Sequence, residues 1–276
     1  MITYSVNSVK HIPKTWKFPA GEVGVSAHFD NNSTKTDLVK ISAHLTNSDE
    51  IMKLLMLTDA LKRQYPNAQM ELRLGYIPYG RQDRVCSEGE SLSIKVFTNL
   101  INAQEYSRVV IFDPHSDATP ALLNNCQVIT QREIFNKLFA YKISSECRDV
   151  IIAPDFGASK KVLDIYNDDH FKEMMVADKV RDLKTGYITD FSFTGDVEGK
   201  HCVVVDDILD GGATFTLIGN ALVERGAKSL SLVVTHGIFS KGTEPITSIY
   251  DNVYTTNSYH CVLVGLVDGV EYIELI

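Results

Sequence analysis

The residues whose types and spacing could do chemistry fall in a few short clusters. The densest is Val203-Val204-Val205-Asp206-Asp207-Ile208-Leu209-Asp210-Gly211-Gly212-Ala213-Thr214. Its apolar start reads as a buried strand that delivers carboxylates to its carboxyl end, the edge at which open α/β sheets bind ligands. A turn of small residues follows, and a helix opens near Thr214. The backbone N–H groups of such a turn, together with the helix N-terminus, attract an anion. The glycines let the backbone approach a phosphate closely. Carboxylates beside an anion site cannot take the phosphate, so they serve sugar hydroxyls, a metal or a basic group. Phosphate on the turn and hydroxyls on the acids point to a phosphorylated sugar. Three acids and two glycines within seven residues exceed what a solvated, capped turn requires.

Four further clusters share this strand-then-polar layout. Tyr76-Ile77-Pro78-Tyr79-Gly80-Arg81-Gln82-Asp83-Arg84 offers guanidinium forks that suit phosphate oxygens, with Gln82 and Asp83 able to pair with the polar edges of a nucleotide. Phe112-Asp113-Pro114-His115 closes an apolar run. Ala153-Pro154-Asp155-Phe156-Gly157-Ala158 runs from strand through Asp to Gly and into a helix. In Met175-Val176-Ala177-Asp178-Lys179-Val180-Arg181, period-2 spacing on an extended segment would turn Lys179 and Arg181 to the same side.

These clusters need a scaffold, and the apolar pattern supplies one. Short apolar runs occur at Leu38–Ile41, Met70–Ile77, Val109–Phe112, Val150–Ala153, Met174–Ala177, Cys202–Val205, Leu230–Thr235 and Cys261–Val267. Their lengths suit strands buried on both faces. Helix-period segments lie between them: Ile51, Leu54, Leu55 and Thr58, ended by Pro66; Ile94, Phe97, Leu100 and Ile101; and Leu217, Ile218, Ala221 and Leu222, stopped by Gly226. Repeated strand-then-helix predicts an α/β fold with largely parallel sheets. A polar stretch near Tyr141–Arg148 separates two groups of units, giving expected domains 1–145 and 146–276. Asp182–Lys200 reads as a loop with extended pieces, and Val270–Ile276 as β-leaning.

Composition limits the partners. The 276 residues carry 27 − 35 = −8 formal charges, which argues against non-specific binding to nucleic acid or anionic membrane. Any phosphate must therefore meet local cations. Hydrophobic residues at 44% and charged residues at 22% exclude wholesale disorder. Mean hydropathy is −0.05, no apolar run is long enough to span a bilayer, and Met1–Val9 lacks a signal-peptide layout. Five scattered cysteines without a C-x-x-C pair fit a reducing cytoplasm and read as small buried side chains.

The Asp206–Thr214 stretch resembles the phosphoribosyl-diphosphate-binding motif of type I phosphoribosyltransferases and of ribose-phosphate diphosphokinases. The remaining motifs favour the diphosphokinases. The Tyr76–Arg84 stretch resembles their ATP-contacting segment. Asp113-Pro114-His115 resembles their Asp-x-His, whose histidine binds Mg²⁺ with ATP. Pro154-Asp155-Phe156-Gly157 resembles their Pro-Asp-x-Gly, where the Asp serves the metal and ribose site. Lys179-Val180-Arg181 resembles the Lys-x-Arg of a mobile catalytic loop. Phe18-Pro19-Ala20-Gly21-Glu22 resembles an element that contacts adenine from a neighbouring subunit, and Thr235–Ser240 matches a further family stretch without an assigned role. The resemblance runs from about Phe18 to Ser240.

The resemblance implies two similar phosphoribosyltransferase-like α/β domains, the first contacting ATP and the second ribose 5-phosphate. It implies diphosphate transfer from ATP to the 1-hydroxyl of ribose 5-phosphate, with Mg²⁺ at His115 and Asp155. ATP would meet Phe18, Glu22, Arg81, Gln82, Asp83 and His115. The sugar phosphate would meet Asp206, Asp207, Asp210, Gly211, Gly212, Ala213 and Thr214, and Lys179 and Arg181 would be catalytic. A cytoplasmic homo-oligomer, dimer or hexamer, and no nucleic-acid or membrane partner are expected. Many relatives need free phosphate and are inhibited allosterically by ADP.

This chain departs from the family pattern at four places. Ala20 stands in place of an Asp. Gly211 and Ala213 replace the Thr and Gly of the phosphate turn, removing a hydroxyl donor worth about 1 kcal/mol. Glu88 and Glu90 occupy a stretch that is basic in many relatives, and no helix is read after Val270–Ile276. Two other classes compete: a type I phosphoribosyltransferase, which has no need of the Arg81–Asp83 segment, and a non-catalytic regulatory homologue, which has no use for His115, Asp155, Lys179 and Arg181.

Overall fold

Seven of the eight apolar runs become inner strands of two sheets, which a computed structural model describes over residues 1–28, 36–143, 145–181, 188–260 and 265–276. Of the eighth, Cys261–Val267, residues 261–264 lie outside the described residues and the rest forms an edge strand. The first unit covers Met1–Ile129 together with Ile276, and the second Thr130–Leu275. In chain order the first unit holds β1 (Ile2–Val6), β2 (Val9–His11), β3 (Lys14–Lys17), β4 (Val23–Ser26), β5 (Leu38–Ala43), α1 (Ser48–Gln64), β6 (Gln69–Leu74), α2 (Ser93–Asn102), β7 (Arg108–Phe112), α3 (Ala118–Leu122) and β8 (Cys126–Ile129). The second holds α4 (Gln131–Ile134), β9 (Val150–Ala153), α5 (Phe156–Tyr166), β10 (Glu173–Arg181), β11 (Ile188–Phe193), β12 (His201–Leu209), α6 (Ala213–Glu224), β13 (Ser229–Gly237), α7 (Glu244–Thr247), β14 (Asn252–Thr256), β15 (Gly265–Val267) and β16 (Val270–Ile273).

The first sheet runs β2-β1-β5-β6-β7-β8, parallel from β5 to β8 with an antiparallel edge at β1 and β2. The second runs β11-β10-β9-β12-β13-β14-β16-β15, parallel from β10 to β16 and antiparallel at both edges. A hairpin of β3 and β4 stands apart from the first sheet. Each unit has its own core. Ile41, Leu72 and Ile111 pack under Leu54 and Phe97 in the first, while Ile152, Val204 and Leu232 pack under Ile218 and Leu222 in the second. Every residue of Val150–Ala153 is buried, as a strand covered on both faces requires.

Local signals set the helix ends. Asn47 caps α1 by accepting from Glu50 N–H at 3.0 Å, and Asp49 and Glu50 fill its first turn, favourable next to the helix's positive end. Asp155 caps α5 in the same way, accepting from Ala158 N–H at 3.1 Å.

Three sequence expectations change. The division falls at 129/130 rather than at 145/146, because the helical segment after Thr130 packs into the second unit: Phe135 packs at a tilt against Phe171 and Arg132 pairs with Asp168. The expected loop Asp182–Lys200 contains β11, paired antiparallel with β10, while residues 182–187 lie outside the described residues. Of the four described cysteines only Cys202 is buried; Cys126 and Cys147 are half-buried, Cys86 is exposed, and Cys261 lies outside the described residues.

Candidate functional site

In the second unit the chemistry collects at the carboxyl end of β9 and β12. These strands are parallel neighbours with Ile152 opposite Val204, so Asp155, three residues past Ile152, comes level with Asp207. Asp206 and Asp207 lie in the second half of β12, still paired to β13 through Asp206 and Val234, and Asp210 follows the strand. Successive strand residues face opposite sides, so the two acids reach different surroundings. Asp207 is buried and receives an ion-paired hydrogen bond from Lys161 Nζ of α5 at 3.0 Å. Asp206 keeps partial exposure, yet desolvation holds its carboxyl well above the usual carboxylate range. The charges of Asp207 and Asp155 push it further up, against a backbone N–H donated by Asp207 and the charge of Lys161. A cluster with this excess of negative charge gains from a cation or a hydroxyl donor.

Beyond the acids the chain turns through Gly211 and Gly212 into α6. Gly212 is the N-cap, with φ of +78°, and brings no side chain to the first turn of the helix. The opening amides of α6 therefore face outward without a side-chain cap, the arrangement that receives an anion. The segment after β13 braces the turn: Ile238 N–H donates to Leu209 O at 2.7 Å and Ser240 N–H to Asp210 O at 3.1 Å. The Thr235–Ser240 stretch thus gains a structural part, since it braces this turn.

In the first unit the carboxyl ends of the neighbouring strands β6 and β7 hold the second group. After β6 the chain passes through Tyr79, at φ of +63°, and the turn is fastened by Gln82 N–H donating to Tyr79 O at 2.9 Å. Arg81 and Gln82 are exposed on it. Arg84 donates to both carboxylate oxygens of Asp83, at 2.8 and 3.1 Å. That pairing brings the Asp83 carboxyl down to about 2, and the charge of His115 contributes to the shift. Asp83 and His115 are therefore brought together. After β7 the buried Asp113 takes a left-handed conformation, φ of +40°, and exposes His115. Phe18 and Glu22 sit at the tip of the β3–β4 hairpin, closed by Phe18 N–H donating to Glu22 O at 2.8 Å. Lys17 ties the hairpin to the first turn of α1 through Asp49 at 2.8 Å.

Lys179 and Arg181 lie on the backbone of β10, and their side chains are outside the described residues. The pairing register with β11 shifts between Val180 and Arg181. Sequence reasoning missed Lys161 and Lys241. The Lys241 stem lies beside Gly211, where a Cβ would stand 3.5 Å from its Cδ and Cε. Neither lysine has a sequence signal, because strand register and loop closure bring each to the site.

Comparison with known proteins agrees with this geometry. Residues 136–266 match the phosphoribosyl transferase domain family, and residues 5–104 match the N-terminal domain of ribose phosphate pyrophosphokinase. The ribose-phosphate pyrophosphokinase of Mycoplasmopsis pulmonis is 30% identical over 247 residues, 87% of this chain and 74% of its own. The chain belongs to the ribose-phosphate pyrophosphokinase family. The Pyrococcus abyssi member is 29% identical over 252 residues, 88% of this chain and 82% of its own. The fold is shared with the crystal structure of phosphoribosylpyrophosphate synthetase from Mycobacterium smegmatis, at a TM-score of 0.79 and 23% identity over 95% of this chain and 86% of that one. Both units are accordingly phosphoribosyltransferase-like domains, mostly parallel sheets flanked by helices, as the sequence led us to expect.

Proposed function

We propose that this chain transfers diphosphate from ATP to the 1-hydroxyl of ribose 5-phosphate, giving phosphoribosyl diphosphate and AMP. The observation that carries the reading is the uncapped N-terminus of α6 directly after two acids on β12 and a third just past its end. Phosphate and vicinal hydroxyls of one small molecule match that pair of features. The ribose oxygen attacks the β-phosphorus of ATP, the bond from that phosphorus to the oxygen bridging to the α-phosphorus breaks, and AMP leaves with that oxygen. The hydroxyl proton is released to solvent or to a nearby carboxylate.

The nucleophile belongs to the substrate, so the protein contributes positioning and charge neutralisation. Asp206, Asp207 and Asp210 accept hydrogen bonds from ribose hydroxyls. The Lys161 pair holds the Asp207 carboxyl in place for this. The amides of Gly211–Thr214 receive the 5-phosphate, and Arg81, Gln82 and Asp83 hold the nucleotide, with Phe18 and Glu22 reaching adenine from a neighbouring subunit. Lys179 and Arg181 neutralise charge that builds on the diphosphate in the transition state.

Among the described residues no three His, Cys, Asp or Glu side chains converge as a metal cage. Mg²⁺ in phosphoryl-transfer sites is held by one or two carboxylates plus substrate oxygens, and the crowded acids Asp155, Asp206 and Asp207 fit that mode. His115 would hold Mg²⁺ with the nucleotide, and Asp155 would serve the metal at the ribose site. When bound, Mg²⁺ supplies charge neutralisation to the ATP phosphates.

The test is AMP formation by the purified chain from ATP, Mg²⁺ and ribose 5-phosphate, measured across several nucleoside triphosphates. Stoichiometric AMP and phosphoribosyl diphosphate are expected. No AMP, together with phosphoribosyl diphosphate consumption by an added nucleobase, would assign a phosphoribosyltransferase instead.

A further inference from the structure

We propose that Lys241 is a ligand of the sugar's 5-phosphate at the Gly211–Thr214 turn, an assignment that rests on the ribose 5-phosphate reading above. The stem of Lys241 runs across that turn. A Cβ on Gly211 would lie 3.5 Å from both its Cδ and its Cε, and 3.7 Å from Ser240 Oγ. The ammonium is one bond beyond Cε, so it is held close to the turn. The lysine's backbone is fixed as well. Ser240 N–H donates to Asp210 O at 3.1 Å, Gly242 N–H donates to Phe239 O at 2.9 Å, and Phe239 is buried beneath.

Charge bookkeeping at this edge singles out Lys241. Asp206, Asp207 and Asp210 set negative charge next to the turn, in a chain whose net charge is −8. Lys161 is engaged with Asp207 at 3.0 Å. Among the described residues nothing pairs with Lys241, and its side chain is exposed. Helix amides alone would have to hold a dianion against three nearby acids, with the N-cap Gly212 offering no side-chain donor and Gly211 no hydroxyl. A cation tethered to the turn and unpaired until substrate arrives supplies the missing charge-assisted hydrogen bond. A Cβ at 211 would sit in contact with the lysine stem, so glycine at 211 leaves room for it to move onto the phosphate.

The same anion chemistry could come from the phosphates of ATP, and kinetics separate the two sources. Initial rates of AMP formation are measured for the wild type, Lys241→Ala and Lys241→Arg, varying ribose 5-phosphate and ATP in turn. Isothermal titration of ribose 5-phosphate and of unphosphorylated ribose accompanies them, with circular dichroism as the check on folding. Lys241→Ala should raise KM for ribose 5-phosphate about 10- to 100-fold, the range for one lost hydrogen bond to a charged group. Its kcat and its KM for ATP should stay within about two-fold, and Lys241→Arg should recover most of the loss. Unchanged KM for ribose 5-phosphate in a folded Lys241→Ala variant overturns the assignment, as does an equal rise in KM for ATP. If the wild type forms no AMP, the reaction we propose fails by itself, and titration then judges Lys241. Weaker ribose 5-phosphate binding in Lys241→Ala upholds the assignment; equal binding, or none by the wild type, overturns it.

Discussion

Gly211 and Gly212 are adjacent and chemically identical, yet the structure predicts opposite responses to alanine. At Gly212 φ is +78°, a conformation that costs an L-residue about 1–2 kcal/mol. An added Cβ would also stand 2.9 Å from Cδ1 of Ile246, which is itself buried. Relieving that overlap means shifting a core side chain, at a cost of about 1–2 kcal/mol, in the lower part of the overpacking range. Gly212→Ala should therefore destabilise the second unit by about 2–4 kcal/mol. At Gly211 the nearest atoms are the Lys241 stem at 3.5 Å, an ordinary contact with a mobile exposed side chain. Gly211→Ala should stay within about 0.5 kcal/mol of the wild type. Urea unfolding followed by far-UV circular dichroism measures both, and fluorescence of Trp16, the single tryptophan, reports on the first unit as an internal reference. Because Gly212 shapes the phosphate turn, its variant should also raise KM for ribose 5-phosphate more than the Gly211 variant does. Equal stabilities for the two variants would refute the claim that the left-handed cap builds this turn.

Other expectations follow from the same geometry. Asp206 has a carboxyl raised above its ordinary 3.8, so the folded chain keeps a proton there that the unfolded chain has lost. Its contribution to stability therefore falls as pH rises above about 4 and levels off above the folded value. Asp206→Asn in metal-free buffer should be more stable than the wild type at neutral pH, with the gain vanishing below about pH 4; a pH-independent difference would remove the electrostatic cause. Lys179→Ala should depress kcat heavily while leaving KM for both substrates little changed, and a raised KM with unchanged kcat would show that Lys179 merely binds substrate. Glu88 lies in a stretch that is basic in many relatives, so initial rates should need no added phosphate and ADP should inhibit competitively with ATP. Strong phosphate activation would sink that expectation.

That last expectation weighs less on Glu90 than the sequence implied. Glu90 folds back, and one carboxylate oxygen accepts the N–H groups of Cys86 and Ser87 at 2.9 and 3.1 Å. Its charge is used inside the loop, which leaves Glu88 as the acid free to repel an incoming anion. The distinction could not be read from composition, because it depends on whether the loop curls back on itself.

Most of the inner parallel strands were legible because burial on both faces leaves an unbroken apolar run. Val39, Ile41, Leu72, Ile111 and Val150–Ala153 are all essentially inaccessible. Two of the missed strands lack that constraint, although β1 and β14 were missed while largely buried. Lys14–Lys17 is exposed throughout, and Cys126–Ile129 is half-buried at a sheet edge, so neither shows a period. The carboxylates and glycines of the second unit were legible for a similar reason, since strand, acids and turn are consecutive in the chain. Their cationic partners were not, because Lys161 precedes Asp207 by 46 residues and reaches it only through the register of β9 against β12.

That division between legible acids and hidden cations follows from what the site must do. Acids placed within β12 repel one another across a folded core, as the raised carboxyl of Asp206 shows, and such crowding weakens the empty protein. Lys161 pairs with Asp207 and offsets the crowding at Asp206 only in part. Asp206 is left for a ligand to relieve, by a hydroxyl hydrogen or a metal, and the uncapped start of α6 is likewise left for an anion. One fold edge thus holds two unmet electrostatic needs of opposite sign, a few residues apart. A molecule bearing hydroxyls at one end and a phosphate at the other answers both at once. Free phosphate or an unphosphorylated pentose answers only one, so each should bind far more weakly than ribose 5-phosphate.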